Sequence, residues 1–288
     1  IILIQSEVIF LVQQHVLNLA AFSEALVKIY DVNALAVKLL NILSNNEIEN
    51  TKDPTIIFRS NSITTKSIDY FMRTTGREYS AAVLSPFLSA LCQSKKSKSY
   101  EVDPTRPNYS SKNIEKLSTL ATKLLDRIFQ SVPECPEPIK VVLYDIRSKV
   151  EATYPPGIVE ETKYTALSAF IFLRFFCPAI INPKLFDFVS KMSPTVTRTC
   201  LLLAKIIQNT ANLAFFGEKE RYMIELNNVI TDNLDKMKKF LDELCEEGRQ
   251  FRVSKKHNKT IQKDIWLEKE IARMAHYLLE CRENWYTD

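Results

Sequence analysis

Glycine is the residue this sequence most lacks. Only Gly76, Gly157, Gly217 and Gly248 occur among 288 residues, so neither a Gly-x-Gly-x-x-Gly turn nor a phosphate loop ending in Gly-Lys-Ser/Thr can be written on it. Nucleotide binding by those routes is excluded. Histidine is scarcer still: His15, His257 and His276 stand apart, without cysteine or carboxylate partners at ligand spacing, which argues against a zinc site. No Gly-x-Ser-x-Gly elbow marks a hydrolase nucleophile. The six cysteines, Cys92, Cys135, Cys177, Cys200, Cys245 and Cys281, include no Cys-x-x-Cys pair, and three lie in apolar helical runs. That is the pattern of reduced core thiols in the cytosol, not of a disulfide framework. An excess of one charge is missing too. With 38 basic residues against 34 acidic, a net +4, and no basic stripe interleaved with aromatics, no nucleic-acid partner is indicated. The opening run Ile1 to Val12 is broken by Gln5, Ser6 and Glu7, short of the ~20 apolar residues of a membrane span, and reads as an amphipathic helix. No signal-peptide pattern is present, and a start at Ile rather than Met suggests a domain cut from a longer protein.

What is present is helix. A hydrophobic content of 46% suffices for a sizeable core. Apolar residues recur at three- and four-residue spacing along most of the chain while strand-like alternation is rare, so the expected class is all-α. One domain over 1–288 is expected, with a core of about 10–245 and C-terminal flanking helices over 246–288.

In order, residues 1 to about 46 read as two or three helices carrying Phe10, Val16, Leu19, Phe22, Leu26 and Ile29, with Asn45-Asn46 as a stop. Asp53-Pro54 supplies a cap and a first helical proline, and Ser60-Asn61-Ser62 restarts a helix at Ile63. Arg59 falls in the loop between, where a side chain can meet a partner or simply be solvated. Ser94 to Lys98 is a polar linker. Helices follow over Asn113–Gln130, Ile139–Tyr154, Thr195–Phe216, Asn227–Leu244 and Asp264–Tyr286, punctuated by Pro133, Pro136, Pro138, Pro155-Pro156-Gly157 and Gly217. The basic run Arg249 to Lys263 is a solvated connector or a site for anionic lipid. Along the helix from Thr195, Arg198, Lys205, Gln208 and Asn212 share one face, which by pattern alone is the water-facing side of an amphipathic helix.

The most apolar stretch, Tyr164 to Pro183, holds a single charge. Arg174 shares a helical stripe with Leu167, Phe170 and Ile171, and a guanidinium among phenylalanines needs carbonyl or carboxylate partners unless it snorkels to the surface. Pro178 cannot donate to the carbonyl of Arg174, so the helix should kink or end there.

Phe172-Leu173-Arg174-Phe-Phe-Cys-Pro178-Ala179-Ile180-Ile-Asn-Pro183 closely resembles the signature block of Ras GTPase-activating protein (RasGAP) catalytic domains. Ile57-Phe58-Arg59-Ser-Asn-Ser-Ile-Thr-Thr-Lys66 resembles the family's arginine-finger segment, and Ala204 to Asn212 with Phe216 to Glu220 its third block. The resemblance covers roughly residues 10 to 245. It implies an elongated all-α fold, a central catalytic helical bundle flanked by helices from the chain ends. It implies a GTPase activator, not an enzyme in its own right, that inserts Arg59 into the active site of a partner. By resemblance Arg59 is the finger and Arg174 holds the finger loop. Thr55, Phe58, Leu173, Lys205, Gln208, Asn212, Lys219 and Glu220 line the partner groove, with Arg106 as an outlying contact. The implied partner is a Ras-family small GTPase in its GTP-bound state, Ras or the related Rap. GTP and Mg²⁺ come on that partner and no cofactor belongs to this chain. Location would be cytoplasmic, with recruitment to the inner face of the plasma membrane through the GTPase or further domains. Some relatives lack the finger and only bind, so a catalytically weak GTPase-binding scaffold is the alternative.

Overall fold

Helical periodicity becomes helix along nearly all of the chain. The computed structural model describes residues 14, 16, 18–32, 34–93, 99–254 and 265–285. Eleven α-helices are found among the described residues: α1 Leu19–Val32, α2 Ala36–Asn50, α3 Ile63–Thr75, α4 Arg77–Gln93, α5 Lys112–Phe129, α6 Glu137–Thr153, α7 Pro156–Phe170, α8 Cys177–Ile181, α9 Pro194–Ala211, α10 Asn227–Ser254 and α11 Ile265–Trp285. Short 3-10 turns link several of them, and no strand occurs among the described residues. Phe10, the linker at 94–98, most of the basic run and the Cys281 side chain lie outside the described residues.

Local signals set most boundaries. Asp53 caps the 3-10 turn Pro54–Ile56 by accepting from the Thr55 N–H, and Ser62 caps α3 in a reciprocal box with Thr65. Two stops differ from the sequence expectation. The Asn45-Asn46 pair does not end α2, which continues to Asn50, because Ile48 is fully buried and holds the last turn on the core. α9 ends at Ala211 rather than at Gly217: Leu213 adopts a left-handed backbone (φ 55°), and Ser168 on α7 donates to the Ala211 carbonyl at 2.6 Å. The chain crosses residue 246 inside one unbroken helix, α10.

The centre is α7 with the segment after it. Phe170, Phe172, Phe175 and Phe176 are at most 1% exposed. Tyr79 on α4 stacks on Phe175 at 5.9 Å, and Phe240 on α10 meets Phe172 at 5.9 Å. Each such buried ring contributes about 1.5–3 kcal/mol. The helical stretch Pro156–Ile181 is long and apolar enough to cross a membrane, yet most of its apolar window is buried by the other helices, as befits a core helix. The first and last of the described helices meet at the margin of the same core: α11 packs on α1 through Lys28–Glu270 at 3.1 Å and Phe22–Tyr277 at 6.2 Å.

The expected break at Pro178 takes a specific form. α7 ends at Phe170, residues Ile171–Phe176 form a π-turn, and the Cys177 N–H reaches back five residues to the Phe172 carbonyl. A wider turn absorbs the missing proline donor without severing the helix. It also displaces the register after Phe170, so Arg174 leaves the buried stripe and is half-buried while the phenylalanines stay inside. Pro86 inside α4 leaves a similar gap, and Arg127 on α5 donates to the Ala82 and Val83 carbonyls beside it.

The described cysteines are free thiols. Burial pushes Cys135, Cys177, Cys200 and Cys245 up to about 12, so they behave as inert core side chains.

Candidate functional site

The loop between α2 and α3 is short and tied at each end. Thr55 donates both its N–H (2.9 Å) and its hydroxyl (2.7 Å) to Asp53, closing the 3-10 turn. The Arg59 N–H then bonds the Ile56 carbonyl at 3.0 Å. Ile57 and Phe58 point inward, 2% and 1% exposed, and the Phe58 ring lies 4.8 Å from that of Phe170. Phe58 has φ 56°, a left-handed backbone that costs an ordinary residue about 1–2 kcal/mol. That reversal after a buried ring turns the next residue outward: Arg59 is exposed, and among the described residues its side chain has no hydrogen-bond or ion-pair partner.

Beyond Arg59 the loop is held by carbonyl capture. The Ser60 carbonyl accepts from Thr65 Oγ1 at 3.0 Å and from Arg174 Nη2 at 3.4 Å. Arg174 Nη1 donates to Ala169 O at 2.8 Å, and its guanidinium lies 5.6 Å from the Phe170 ring. One phenylalanine thus supports both arginine-bearing segments. Burial lowers the Arg174 pKa, and Asp69 and Glu47 oppose that shift. The same burial raises both carboxylates, against the pull of Arg174. The two partners asked of a buried arginine are therefore both present, main-chain carbonyls in contact and carboxylates nearby.

Next to this loop opens a groove with a cavity of about 680 Å³. Lys66, Asp69 and Arg73 line it from α3, and Leu173, Arg174 and Pro178 from the π-turn and α8. Ile181 (40% exposed) and Leu185 (77%) add apolar surface at its edge. Arg77 and Asp187 pair across it at 3.1 Å, both well exposed. Sequence reasoning did not single out Lys66, Asp69, Arg73, Glu47 or Asp187. The spacing of Lys66, Asp69 and Arg73, by three and four, was a legible polar stripe. Glu47 and Asp187 carried no such signal.

The polar face of α9 is not simply water-facing. Arg198 is bidentate to Glu101 at 2.9 and 3.1 Å, and Lys205 is ion-paired with Glu220. Glu220 reaches Lys205 from a kink, φ −136° and ψ 53°, within the turn Glu218–Leu226. Gln208 is half-buried on the same helix, Asn212 is half-buried at its C-cap, and Lys219 is exposed. α9 packs directly on α8 and the π-turn, with Ser168 tied to its last carbonyl. The structure thus gathers Phe58, Arg59, Leu173 and Arg174 at one place, with Lys205 and Gln208 on the helix behind and Asn212 at its C-cap. Arg106 is not drawn in. It is exposed, 3.6 Å from Asp103, at a separate cavity of about 250 Å³ beside Arg198, a full helix length of roughly 20 Å from Asn212. Among the described residues no group of three or more His, Cys, Asp or Glu side chains is placed to hold a metal ion.

A family model described as "GTPase-activator protein for Ras-like GTPase" matches residues 39–110 and 105–212. The curated relatives include the probable Ras GTPase-activating-like protein ngap of Dictyostelium discoideum, 38% identical over 273 residues, covering 91% of this chain and 29% of that protein. The RasGAP-activating-like protein 1 of Homo sapiens is 33% identical over 241 residues, 77% of this chain and 30% of that protein. Ras GTPase-activating protein 3 of Bos taurus is 28% identical over 270 residues, 91% of this chain and 32% of that protein. This chain spans about a fifth to a third of the length of the curated relatives it matches.

Proposed function

Because this chain belongs to the Ras GTPase-activating protein family, we propose that it accelerates GTP hydrolysis on a Ras-type small GTPase by placing Arg59 in the partner's active site. The observation that carries the reading is the state of Arg59: an exposed guanidinium, without a partner among the described residues, on a loop anchored by a buried phenylalanine before it and a carbonyl that accepts two hydrogen bonds after it.

Phosphoryl transfer spreads charge over the transferring group, and a positive charge positioned beforehand in a water-poor site stabilises that charge without reorganising. The GTPase carries its own phosphate loop, Mg²⁺ and catalytic glutamine. What it needs from outside is one cation. In Ras and its activating protein the acceleration is ~10⁵-fold, about 7 kcal/mol, a magnitude that belongs to that pair.

On this reading Arg59 neutralises developing charge and its main-chain carbonyl helps orient the catalytic glutamine. Arg174 keeps the loop extended by donating to Ser60 and Ala169 and touches no phosphate. The groove beside it takes the switch surface of the GTP-loaded partner, with Thr55, Phe58, Leu173, Gln208, Asn212, Lys219 and the Lys205–Glu220 pair as contacts or supports. The chain acts as an activator with no nucleotide, metal or active site of its own, and it reaches the membrane through its partner.

Single-turnover GTP hydrolysis by purified Ras, alone, with this domain and with Arg59→Ala, tests the reading, alongside binding to the GTP-loaded state. Strong acceleration that Arg59→Ala largely abolishes while binding persists is expected. Binding without acceleration would reduce the chain to a scaffold. Absence of both, for Ras and then for Rap, would end the assignment.

A further inference from the structure

Glu47 lies on α2, away from the loop that carries Arg59, and nothing in its sequence context marks it. Its Oε2 accepts the Ser62 hydroxyl at 2.5 Å. Ser62 is 3% exposed, and its oxygen accepts the Thr65 N–H at 3.0 Å as the cap of α3. The single Ser62 hydroxyl proton is therefore committed to Glu47 and its lone pair to the cap. Thr65 continues the chain: its hydroxyl accepts the Ser62 N–H at 2.9 Å and donates to the Ser60 carbonyl at 3.0 Å. That carbonyl also receives Arg174. Remove the Glu47 acceptor and the Ser62 proton turns to Thr65 Oγ1, 3.2 Å away, which already serves Ser60.

A hydroxyl acceptor alone would not require a charge. An amide in the place of Glu47 could accept from Ser62, and a partly buried carboxylate is costly without a counter-charge. Burial raises the Glu47 pKa, and the Ser62 hydroxyl, the Thr64 hydroxyl and then the charge of Arg174 act against it. Glu47 in turn supports the charged form of Arg174, together with Asp69. One carboxylate thus holds the hydroxyl chain that runs through Ser62 and Thr65 to the Ser60 carbonyl, and its charge acts on the guanidinium of Arg174 that meets the same carbonyl.

We infer that Glu47 is a positioning residue for the arginine loop: by holding the Ser62 hydroxyl it fixes the α3 cap and leaves Thr65 to the Ser60 carbonyl, so that the backbone following Arg59 is held in one conformation before any partner arrives. The inference rests on the proposed function for its catalytic consequence but not for its effect on the free protein.

The decisive variant is Glu47→Gln, which keeps the shape and an acceptor for Ser62 and removes the charge. Glu47→Ala removes both, and Glu49→Gln, an exposed position two residues on that pairs with Lys149, is the control. Two readouts are taken: amide hydrogen exchange of residues 56–65 in the free protein, and single-turnover GTP hydrolysis by Ras over a range of domain concentration. Glu47→Gln should raise exchange of the loop amides about fivefold, the size expected for one weakened charge-assisted contact, and leave the buried amides of α3 after Lys66 unchanged. The saturating hydrolysis rate should fall by about the same factor while the half-saturating concentration stays within about twofold. Glu47→Ala should exceed both effects, and Glu49→Gln should show neither. Unchanged exchange in Glu47→Gln, a rise spread evenly over the whole domain, or a loss confined to half-saturation would each overturn the inference. If the unaltered domain accelerated nothing, the proposed function would fall, and the exchange data alone would still decide whether Glu47 holds the loop.

Discussion

At Phe58 the ordinary order of alanine and glycine should invert. The ring is 1% exposed and 4.8 Å from Phe170, so Phe58→Ala empties a closed site and should cost about 3–5 kcal/mol. The backbone there has φ 56°, which a side-chain-bearing residue holds at a cost of about 1–2 kcal/mol and glycine holds freely. At a position with ordinary backbone, glycine is the less stable of the two by about 0.4–1 kcal/mol through its unfolded-state entropy. The difference leaves Phe58→Gly more stable than Phe58→Ala by roughly 0.5–1 kcal/mol, though far below the parent. Urea denaturation followed by far-ultraviolet circular dichroism, with both variants at equal m, measures this directly. If alanine proved equal or superior to glycine, position 58 would not be left-handed in solution, and the account of how Arg59 is turned outward would fail. Both variants should also lower the saturating rate of GTP hydrolysis more than they weaken binding, because the loop loses its inward anchor.

Arg174→Lys should lower the saturating hydrolysis rate by about tenfold with little change in half-saturation, since an ammonium cannot serve Ala169 and Ser60 together; a rate equal to the parent's would show the second carbonyl to be dispensable. Gly248→Ala drives a Cβ into the Lys140 main-chain oxygen and must separate α6 from α10. A loss of about 1–3 kcal/mol is expected by urea denaturation, and an unchanged midpoint would rule out that close approach. For Glu101, burial works to raise the pKa, but the Arg198 guanidinium and the Val102 and Asp103 N–H groups outweigh it and hold the carboxyl below its usual range. The unfolded chain therefore binds the proton more tightly. The pair's contribution is present above the unfolded value of ~4.3 and is lost as pH falls through the lower folded value. Stability measured against pH should show a shallower acid slope in Glu101→Gln, and an identical slope would refute the pairing.

Helical class and most helix starts were legible because they rest on neighbours in sequence: apolar spacing of three and four, Asp53 before Pro54, and Ser62 three residues before Thr65. The candidate loop and the Arg174 segment were legible as motifs, and the chain's family follows from the same blocks. The ends of α2 and α9 were misplaced because burial of Ile48 and the bond from Ser168 to Ala211 are long-range facts that override weak local stops. The polar face of α9 could be read, but not that Arg198 is committed to Glu101 and Lys205 to Glu220, since those partners lie 97 and 15 residues away.

The amino-acid order by itself determined that the chain is helical, that Arg174 needs partners, and that Pro178 must disturb its helix, because each depends on covalent geometry and local periodicity. Tertiary structure alone decided how that disturbance resolves, as a π-turn that brings Arg174 to the Ser60 carbonyl, and which side chains meet there. Phe58, Phe170, Glu47 and Asp69 come from four separate segments, and only packing a shared core sets their distances.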